Sequence, residues 1–138
     1  MDGSQEFAAQ VVPLLEAELN AAHDGDIGPR LALWTRNDPV TLFGAWLSGR
    51  GWAEVAAVFD HLARTFRGKG GLELEVLAAD CSGDLGYVVA LEKNTGVVTD
   101  ASTRDYTLRV TTVFRREDGA WKVVHRHGDE LPVTSPDS

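Results

Sequence analysis

The sequence predicts an α+β domain in which three N-terminal helices pack against a strongly curved antiparallel sheet. Up to about residue 66 the apolar residues recur every three or four positions, as in helices, and from Gly70 onward they alternate, as in strands. Compact turns separate the later segments, so these strands can pair in chain order. A chain of 138 residues without repeats or linkers fits a single domain over residues 1–138, with its core at about 5–131 and a polar tail over 132–138.

Three helices are predicted in the first half of the chain. The first, over residues 5–23, follows from an apolar stripe that comprises Phe7, Val11, Leu14 or Leu15, and Leu19. Pro13 should bend this helix or delay its regular part, because proline lacks the backbone donor. Asp26 is expected to cap a short second helix, with Pro29 in its first turn. The third helix is predicted by a stripe spaced 3, 4, 3, 4, which comprises Trp52, Val55, Phe59, Leu62 and Phe66.

Six strands are predicted, two before the third helix and four after it. Two short strands, over residues 40–43 and 45–47, flank Gly44. Four longer strands, rich in Val, Thr and Tyr, follow at 72–81, 85–94, 104–116 and 120–130. Segments 82–84 and 117–119 have the composition of hairpin turns, and 94–103 is predicted to be a longer polar loop.

Composition excludes some classes of partner. The net charge of −8 and the absence of a basic run argue against a nucleic-acid or anionic-membrane partner. Cys81 is the only cysteine, so no intramolecular disulfide can form, which is consistent with a reducing compartment. The first residues lack the pattern of a signal peptide, and no apolar run is long enough to span a bilayer. A cytoplasmic location is therefore expected.

Two histidines on the last strand are the main candidates for chemistry. His125 and His127 lie two residues apart, so both side chains are predicted on one face of the strand. If 117–119 forms a three-residue hairpin, Thr111 opposes His125 and Arg109 opposes His127. A two-residue Asp118-Gly119 turn would instead shift the pairing by one residue. The three-residue loop is favoured because it separates this polar face from an apolar one formed by Leu108, Val110, Thr112, Phe114 and Val124.

The order of these segments resembles the SnoaL-like branch of the nuclear-transport-factor-2-like superfamily. The segments that carry the resemblance are Leu33-Trp34, Val40–Gly44, Gly51-Trp52, Leu108–Thr111, Val113–Arg116 and Trp121–His127. It covers about residues 5–131 and implies a cystatin-like cone, in which a curved sheet wraps a helix around a hydrophobic pocket. Members include ketosteroid isomerases, polyketide cyclases, epoxide hydrolases, dehydratases and proteins that only bind or assemble, so the fold does not define the function.

Departures from the family patterns narrow the chemistry that the resemblance implies. The isomerases carry a carboxylate base on the short strand after the second helix, where this chain has Leu42, Phe43 and Trp46. The epoxide hydrolases use an Asp-Arg-Asp arrangement, for which Arg109 could supply only the cation. The cyclases use a His and an Asp, for which His125 or His127 with Asp129 is the nearest match.

Two functions follow as alternatives. In the first, an isomerase, cyclase or lyase without a cofactor moves a proton on a small apolar carbonyl compound. His125 and His127 would exchange the proton, since imidazole titrates near neutral pH, and Arg109 would stabilise an oxyanion, with Asp129 beside them. In the second, the same cavity binds a hydrophobic molecule without chemistry, or the protein is a dimeric scaffold, and the histidines form a structural network. A His-x-His metal site is a weaker alternative, and neither metal nor cofactor is expected.

Further side chains are assigned by their predicted position. The expected ligand-binding group comprises Trp34, Phe43, Trp46, Tyr87 and Thr111, which favours a small apolar or aromatic ligand. His23 and His61 are expected in solvent, and Glu92 either at the surface or paired with Arg109. The outer apolar face of the sheet, with Val110 and Phe114, predicts a sheet-to-sheet homodimer.

Overall fold

The computed structural model describes residues 3–68, 70–100 and 102–131. Its elements are, in chain order, α1 (Gly3–His23), α2 (Gly28–Leu33), β1 (Thr41–Phe43), β2 (Ser48–Arg50), α3 (Trp52–Thr65), β3 (Gly71–Ser82), β4 (Leu85–Val98), β5 (Thr103–Glu117) and β6 (Ala120–Glu130). The predicted α+β class, with helices first and long strands after them, is confirmed. The predicted polar tail lies outside the described residues.

The first two helices form largely where the apolar pattern places them. α1 buries the predicted stripe of Phe7, Val11, Leu15 and Leu19, whereas Leu14 points outwards and is 48% exposed. Pro13 lies inside α1 without ending it. α2 begins after Asp26, whose Oδ1 accepts a hydrogen bond from the Gly28 N–H at 2.9 Å. The carboxylate thus satisfies a donor at the start of the helix, but Ile27 occupies the N-cap position that was predicted for Asp26.

The third helix starts at a tight corner after β2. Gly51 has φ = +84°, a conformation that favours glycine, and it turns the chain directly into α3. The Trp52 N–H then donates to Asp38 Oδ1 at 2.9 Å, so a side chain from the preceding loop caps the helix. Val55 and Phe59 on the inner side of α3 are completely buried.

The six strands form one sheet in the order β2-β1-β6-β5-β4-β3. Neighbouring strands are antiparallel except β1 and β6, which are parallel. The predicted strand at 45–47 is wrong: β2 is Ser48–Arg50, and 44–47 form a turn closed by a hydrogen bond from the Gly44 N–H to the Leu47 carbonyl. The predicted loop at 94–103 is also shorter, because β4 extends to Val98 and β5 begins at Thr103.

The β5–β6 hairpin differs from the favoured prediction. Glu117 pairs with Ala120 across a two-residue turn, in which Asp118 and Gly119 both have positive φ, 51° and 81°. Such a turn matches the twist of the strands that it joins. A bulge follows, because Phe114 pairs with Val123 and Val113 pairs with His125, which leaves Val124 as the extra residue.

This bulge determines which side chains of β6 face inwards. Before it Trp121 and Val123 are buried on the helix side; beyond it Arg126 and Gly128 occupy that side. His125 and His127 are therefore turned to the outer face of the sheet. The proposed outer apolar face is the inner one: its members Leu108, Val110, Thr112 and Phe114 are all buried, and only Val124, at the bulge, is half-buried.

Aromatic edge-to-face contacts join the helices to this inner face. Phe7 of α1 packs against Phe114 and Trp121, with ring centroids 5.5 and 4.8 Å apart. Trp34, after α2, packs against Phe59 of α3 at 5.0 Å. These contacts fill one end of the curved sheet. The other end, between α1, α3 and the turn at 44–47, contains a cavity.

Candidate functional site

The cavity has a volume of about 110 Å³ and mostly apolar walls. Helix α1 contributes one wall, α3 another, and the inner face of the sheet the third. The apolar side chains that line it include Leu19, Leu42, Val58, Phe59, Leu62 and Leu108. The β1–β2 turn, residues 44–47, lies at the mouth, where Trp46 is 55% exposed. This shape suits a small molecule with a large apolar part.

A buried ion pair forms part of the cavity wall. The guanidinium of Arg126 donates from Nη1 to Glu92 Oε2 at 2.6 Å and from Nη2 to Glu92 Oε1 at 2.8 Å. Both side chains lie inside the cone, where the β6 bulge turns Arg126 towards β4. Burial alone would lower the pKa of Arg126, but the Glu92 carboxylate outweighs it and raises that pKa well above the ordinary value. Arg126 therefore stays charged, and this pair replaces the sequence-based expectation of a surface Glu92 or one paired with Arg109.

A second buried ion pair links α1 to α2. Arg30 Nε donates to Glu18 Oε2 at 2.6 Å, and the side chains retain only 8% and 1% of their exposure. The Arg30 guanidinium also lies over the Phe59 ring, 5.2 Å from its centroid. Arg30 lines the cavity, so the ion pair and the aromatic face hold a cation at its wall.

A hydrogen bond between His23 and Asn94 is the third polar feature of the cavity wall, although His23 was expected in solvent. His23 is buried, and its Nε2 lies 2.9 Å from Asn94 Oδ1. Asn94 donates from Nδ2 to the Glu92 carbonyl, so its Oδ1 accepts, and His23 must carry the proton on Nε2. His23 Nδ1 is also buried, and it has no partner among the described residues.

Tyr106 completes the polar lining near the mouth. Burial first, and the Glu92 charge second, raise the pKa of its phenol above the ordinary value, so the hydroxyl stays protonated at neutral pH. Its ring packs edge-to-face on Trp46 at 5.5 Å. Arg104 lies over both rings and pairs with Glu130, which places a solvated cation outside the aromatic entrance.

The predicted catalytic group lies on the opposite side of the sheet from this cavity. Arg109 donates two hydrogen bonds to Asp129, at 2.9 and 2.6 Å, in an exposed pair. His125 Nδ1 is 2.7 Å from Thr41 Oγ1, and His127 is exposed. Burial first, and the charge of His127 second, lower the pKa of His125. The structure thus brings these four residues to one face, but placing them inside the cavity was wrong.

The predicted ligand-binding residues are divided among three places. Trp46 lies at the cavity mouth, whereas Trp34 is part of the packed core. Phe43, Tyr87 and Thr111 lie on the outer face, where the Phe43 ring contacts both His125 and His127 at 5.5 Å. The sequence-based reasoning missed the polar residues that do line the cavity: His23, Arg30, Asn94, Tyr106 and Arg126.

The described residues contain neither a metal-binding cluster nor a membrane-spanning helix. In the part of the chain that the structure describes, no three side chains of His, Cys, Asp or Glu are arranged to hold a metal ion. Across the same residues, no helix has both the length and the apolar character needed to cross a membrane.

The curved, unclosed sheet wrapped around helices defines a cone-shaped domain with an internal pocket. Its sequence matches the family model of the SnoaL-like domain over residues 11–133. The chain therefore belongs to the SnoaL-like family, as its segment order suggested. A search among curated protein sequences finds no significant match.

Solved structures support the same fold at low sequence identity. An NTF2-like protein of unknown function from Pseudomonas putida KT2440 is 22% identical, with a TM-score of 0.77 over 96% of this chain and 99% of that one. A proposed dehydratase of the NTF2-like family from Streptomyces avermitilis is 21% identical, with a TM-score of 0.74 over 94% and 99%. The CaMKII hub of S. rosetta is 22% identical, with a TM-score of 0.66 over 95% and 98%. At these identities the likeness concerns the fold alone.

Proposed function

We propose that this protein binds a small, mostly apolar molecule in the cavity of the cone. The observation that carries the proposal is an apolar cavity of about 110 Å³ whose wall also holds buried, hydrogen-bonded polar groups. Apolar area supplies affinity in such a site, and a few placed polar groups supply orientation. A cavity of ~150 Å³ holds benzene, so this smaller cavity encloses roughly six non-hydrogen atoms at most, and a longer ligand would extend through the open mouth.

Binding is favoured over His-based proton transfer by the position of the side chains. The sheet separates His125 and His127 from the cavity, so neither imidazole reaches a molecule bound there. Glu92, the carboxylate on the cavity wall, has both oxygens hydrogen-bonded to Arg126 and is therefore engaged by a protein partner. The non-catalytic alternative is therefore the function that we carry forward.

A cavity-blocking variant tests this proposal. Ala45 lines the cavity at its mouth, so Ala45→Trp should fill the entrance and weaken the binding of small cyclic compounds at least about tenfold. Binding is measured by NMR chemical shifts and by ligand-induced increases in melting temperature. Ala57→Trp, the same exchange at an exposed position of α3, is the matched control and should retain wild-type affinity. Failure of every compound in a broad panel to bind the wild-type chain would refute the proposal.

We further propose that the outer face of the sheet binds a second copy of the chain. Leu77, Leu85 and Tyr87 are exposed there, by 56%, 55% and 40%, next to the half-buried Val113. A contiguous apolar face of this kind is uncommon on monomers, and a twofold axis would let it cover itself. The homodimer expected from the sequence is thus retained with a corrected set of residues, and His125 lies beside Val113 on that face.

Charge placed on this face should separate the dimer. Tyr87→Asp puts an unpaired carboxylate into the proposed interface, and we expect the dimer dissociation constant to rise at least about a hundredfold. Sedimentation velocity over a concentration series measures this change. Leu14→Asp, at an exposed leucine of α1, should leave the dimer intact. A wild-type chain that remains monomeric at tens of micromolar would rule out the interface.

A further inference from the structure

The terminal amino groups of Arg30, which lines the cavity, have no hydrogen-bond partner among the described residues. The side chain is more than nine-tenths buried, and among the described residues only its Nε has a hydrogen-bond partner, Glu18. The guanidinium plane is held between that carboxylate and the Phe59 ring. These N–H groups are therefore open to a ligand oxygen, and a hydrogen bond from a charged donor contributes more than one between two neutral groups.

The charges around Arg30 cancel. Glu18 and Glu92 supply two negative charges to the inside of the cone, and Arg30 and Arg126 supply two positive ones. Tyr106, another donor on the wall, adds no charge, because burial and Glu92 raise the pKa of its hydroxyl. A third carboxylate brought into the cavity would therefore be an uncompensated buried negative charge, which is strongly unfavourable.

We propose that Arg30 donates to a neutral carbonyl oxygen of the ligand, and that the electroneutral cavity rejects carboxylate anions of the same shape. This inference rests on the proposed binding function and adds the chemical class of the ligand: a small apolar ketone, ester or amide. A carbonyl oxygen accepts the same N–H groups as a carboxylate, and it leaves the balance of the two ion pairs unchanged.

Three molecules of equal size separate the contribution of the carbonyl oxygen from the effect of a negative charge. Acetophenone carries the carbonyl, benzoate replaces its methyl group with a charged oxygen, and α-methylstyrene replaces its carbonyl oxygen with a methylene group. Titration calorimetry or NMR gives each dissociation constant with the wild-type chain. We expect acetophenone to bind and benzoate to bind at least about a hundredfold more weakly at neutral pH.

Two variants assign the effect to Arg30 and to the charge balance. Glu18→Gln keeps an acceptor for Arg30 Nε but leaves the cavity with one net positive charge, so the preference for acetophenone over benzoate should fall at least about tenfold. Adding Arg30→Met to that variant removes the donor without leaving a buried carboxylate unpaired. The preference for acetophenone over α-methylstyrene should then fall about tenfold relative to Glu18→Gln. Melting curves of both variants confirm that they are folded before titration.

Each result has a distinct meaning. Wild-type binding of benzoate as tight as that of acetophenone would overturn the neutral-carbonyl proposal and leave the binding function standing. An unchanged acetophenone-to-α-methylstyrene ratio after Arg30→Met would overturn Arg30 as the anchor. If none of the three molecules, nor any of the broader panel, binds, the proposed function itself fails.

Discussion

Replacing Glu92 with leucine is expected to destabilise the folded chain by about 3–5 kcal/mol. Glu92 is buried, and its two oxygens accept both terminal amino groups of Arg126. Without the carboxylate, the guanidinium stays charged inside the cone with no counter-charge bonded to it. Equilibrium unfolding in urea measures the change as a lower midpoint with a similar slope.

Two comparisons isolate the cause of this loss. The double variant Glu92→Leu/Arg126→Leu removes both charges, and it should recover most of the stability, since buried ion pairs can often be exchanged for apolar pairs of similar volume. Glu75→Leu breaks the exposed pair of Glu75 with Lys93 on neighbouring strands and should cost less than about 1 kcal/mol. A double variant as unstable as Glu92→Leu would show that packing, and not the unpaired charge, dominates.

Phe114→Ala is expected to cost about 3–5 kcal/mol, because it leaves a void in a packed core. The ring is completely buried and contacts the edge of Phe7 in α1. The same unfolding experiment measures the loss. Thr111→Ala, three residues earlier on β5 and on the exposed side, should change the stability by less than about 1 kcal/mol.

This pair of variants also tests which side of the sheet faces the helices. The hairpin register favoured by the sequence puts Thr111 inside and Phe114 outside, and it predicts the reverse order of effects in the monomer. A small effect for Phe114→Ala together with a large one for Thr111→Ala would therefore contradict the observed arrangement.

The helices and long strands could be predicted because their patterns are local. Burial on one face requires apolar residues every three or four positions in a helix, and the stripe through Phe7, Val11 and Leu15 fulfils that requirement. Long alternating segments identified β3 to β6, and the end points of β6 agree with the predicted ones. The resemblance of segment order correctly indicated the SnoaL-like family.

Which side chains of β6 point into the cone could not be predicted, because their direction depends on one extra residue in the strand. Simple alternation from Trp121 and Val123 continues through His125 and His127, and it places both histidines inside. The bulge at Val124 reverses the alternation, so that Arg126 points inwards. Nothing in the local composition marks this bulge, which is visible only in the pairing of β6 with β5.

The ion-pair partner of one polar residue in the cavity lining did leave a signal in the sequence. Glu18 lies between Leu15 and Leu19 on the apolar side of α1, and a charged residue at such a position is buried only with a partner. Its partner Arg30 is in the next helix, but pairing across a turn cannot be read from spacing alone. Tyr106 and Arg126 gave no comparable signal, since both lie in strands with mixed polarity.

The position of β3 at the end of the strand order bears on self-association of another kind. One long side of this strand has no neighbour in the described part of the sheet, so its backbone groups could pair with the edge of another molecule. The bulge between Val76 and Ala78 interrupts the regular spacing of those groups, and Glu73 and Glu75 add like charges along the strand. Repulsion between the carboxylates of two such edges and the irregular spacing of their backbone groups thus disfavour fibre-like growth through β3. The proposed dimer contact uses the outer face of the sheet and does not depend on this edge.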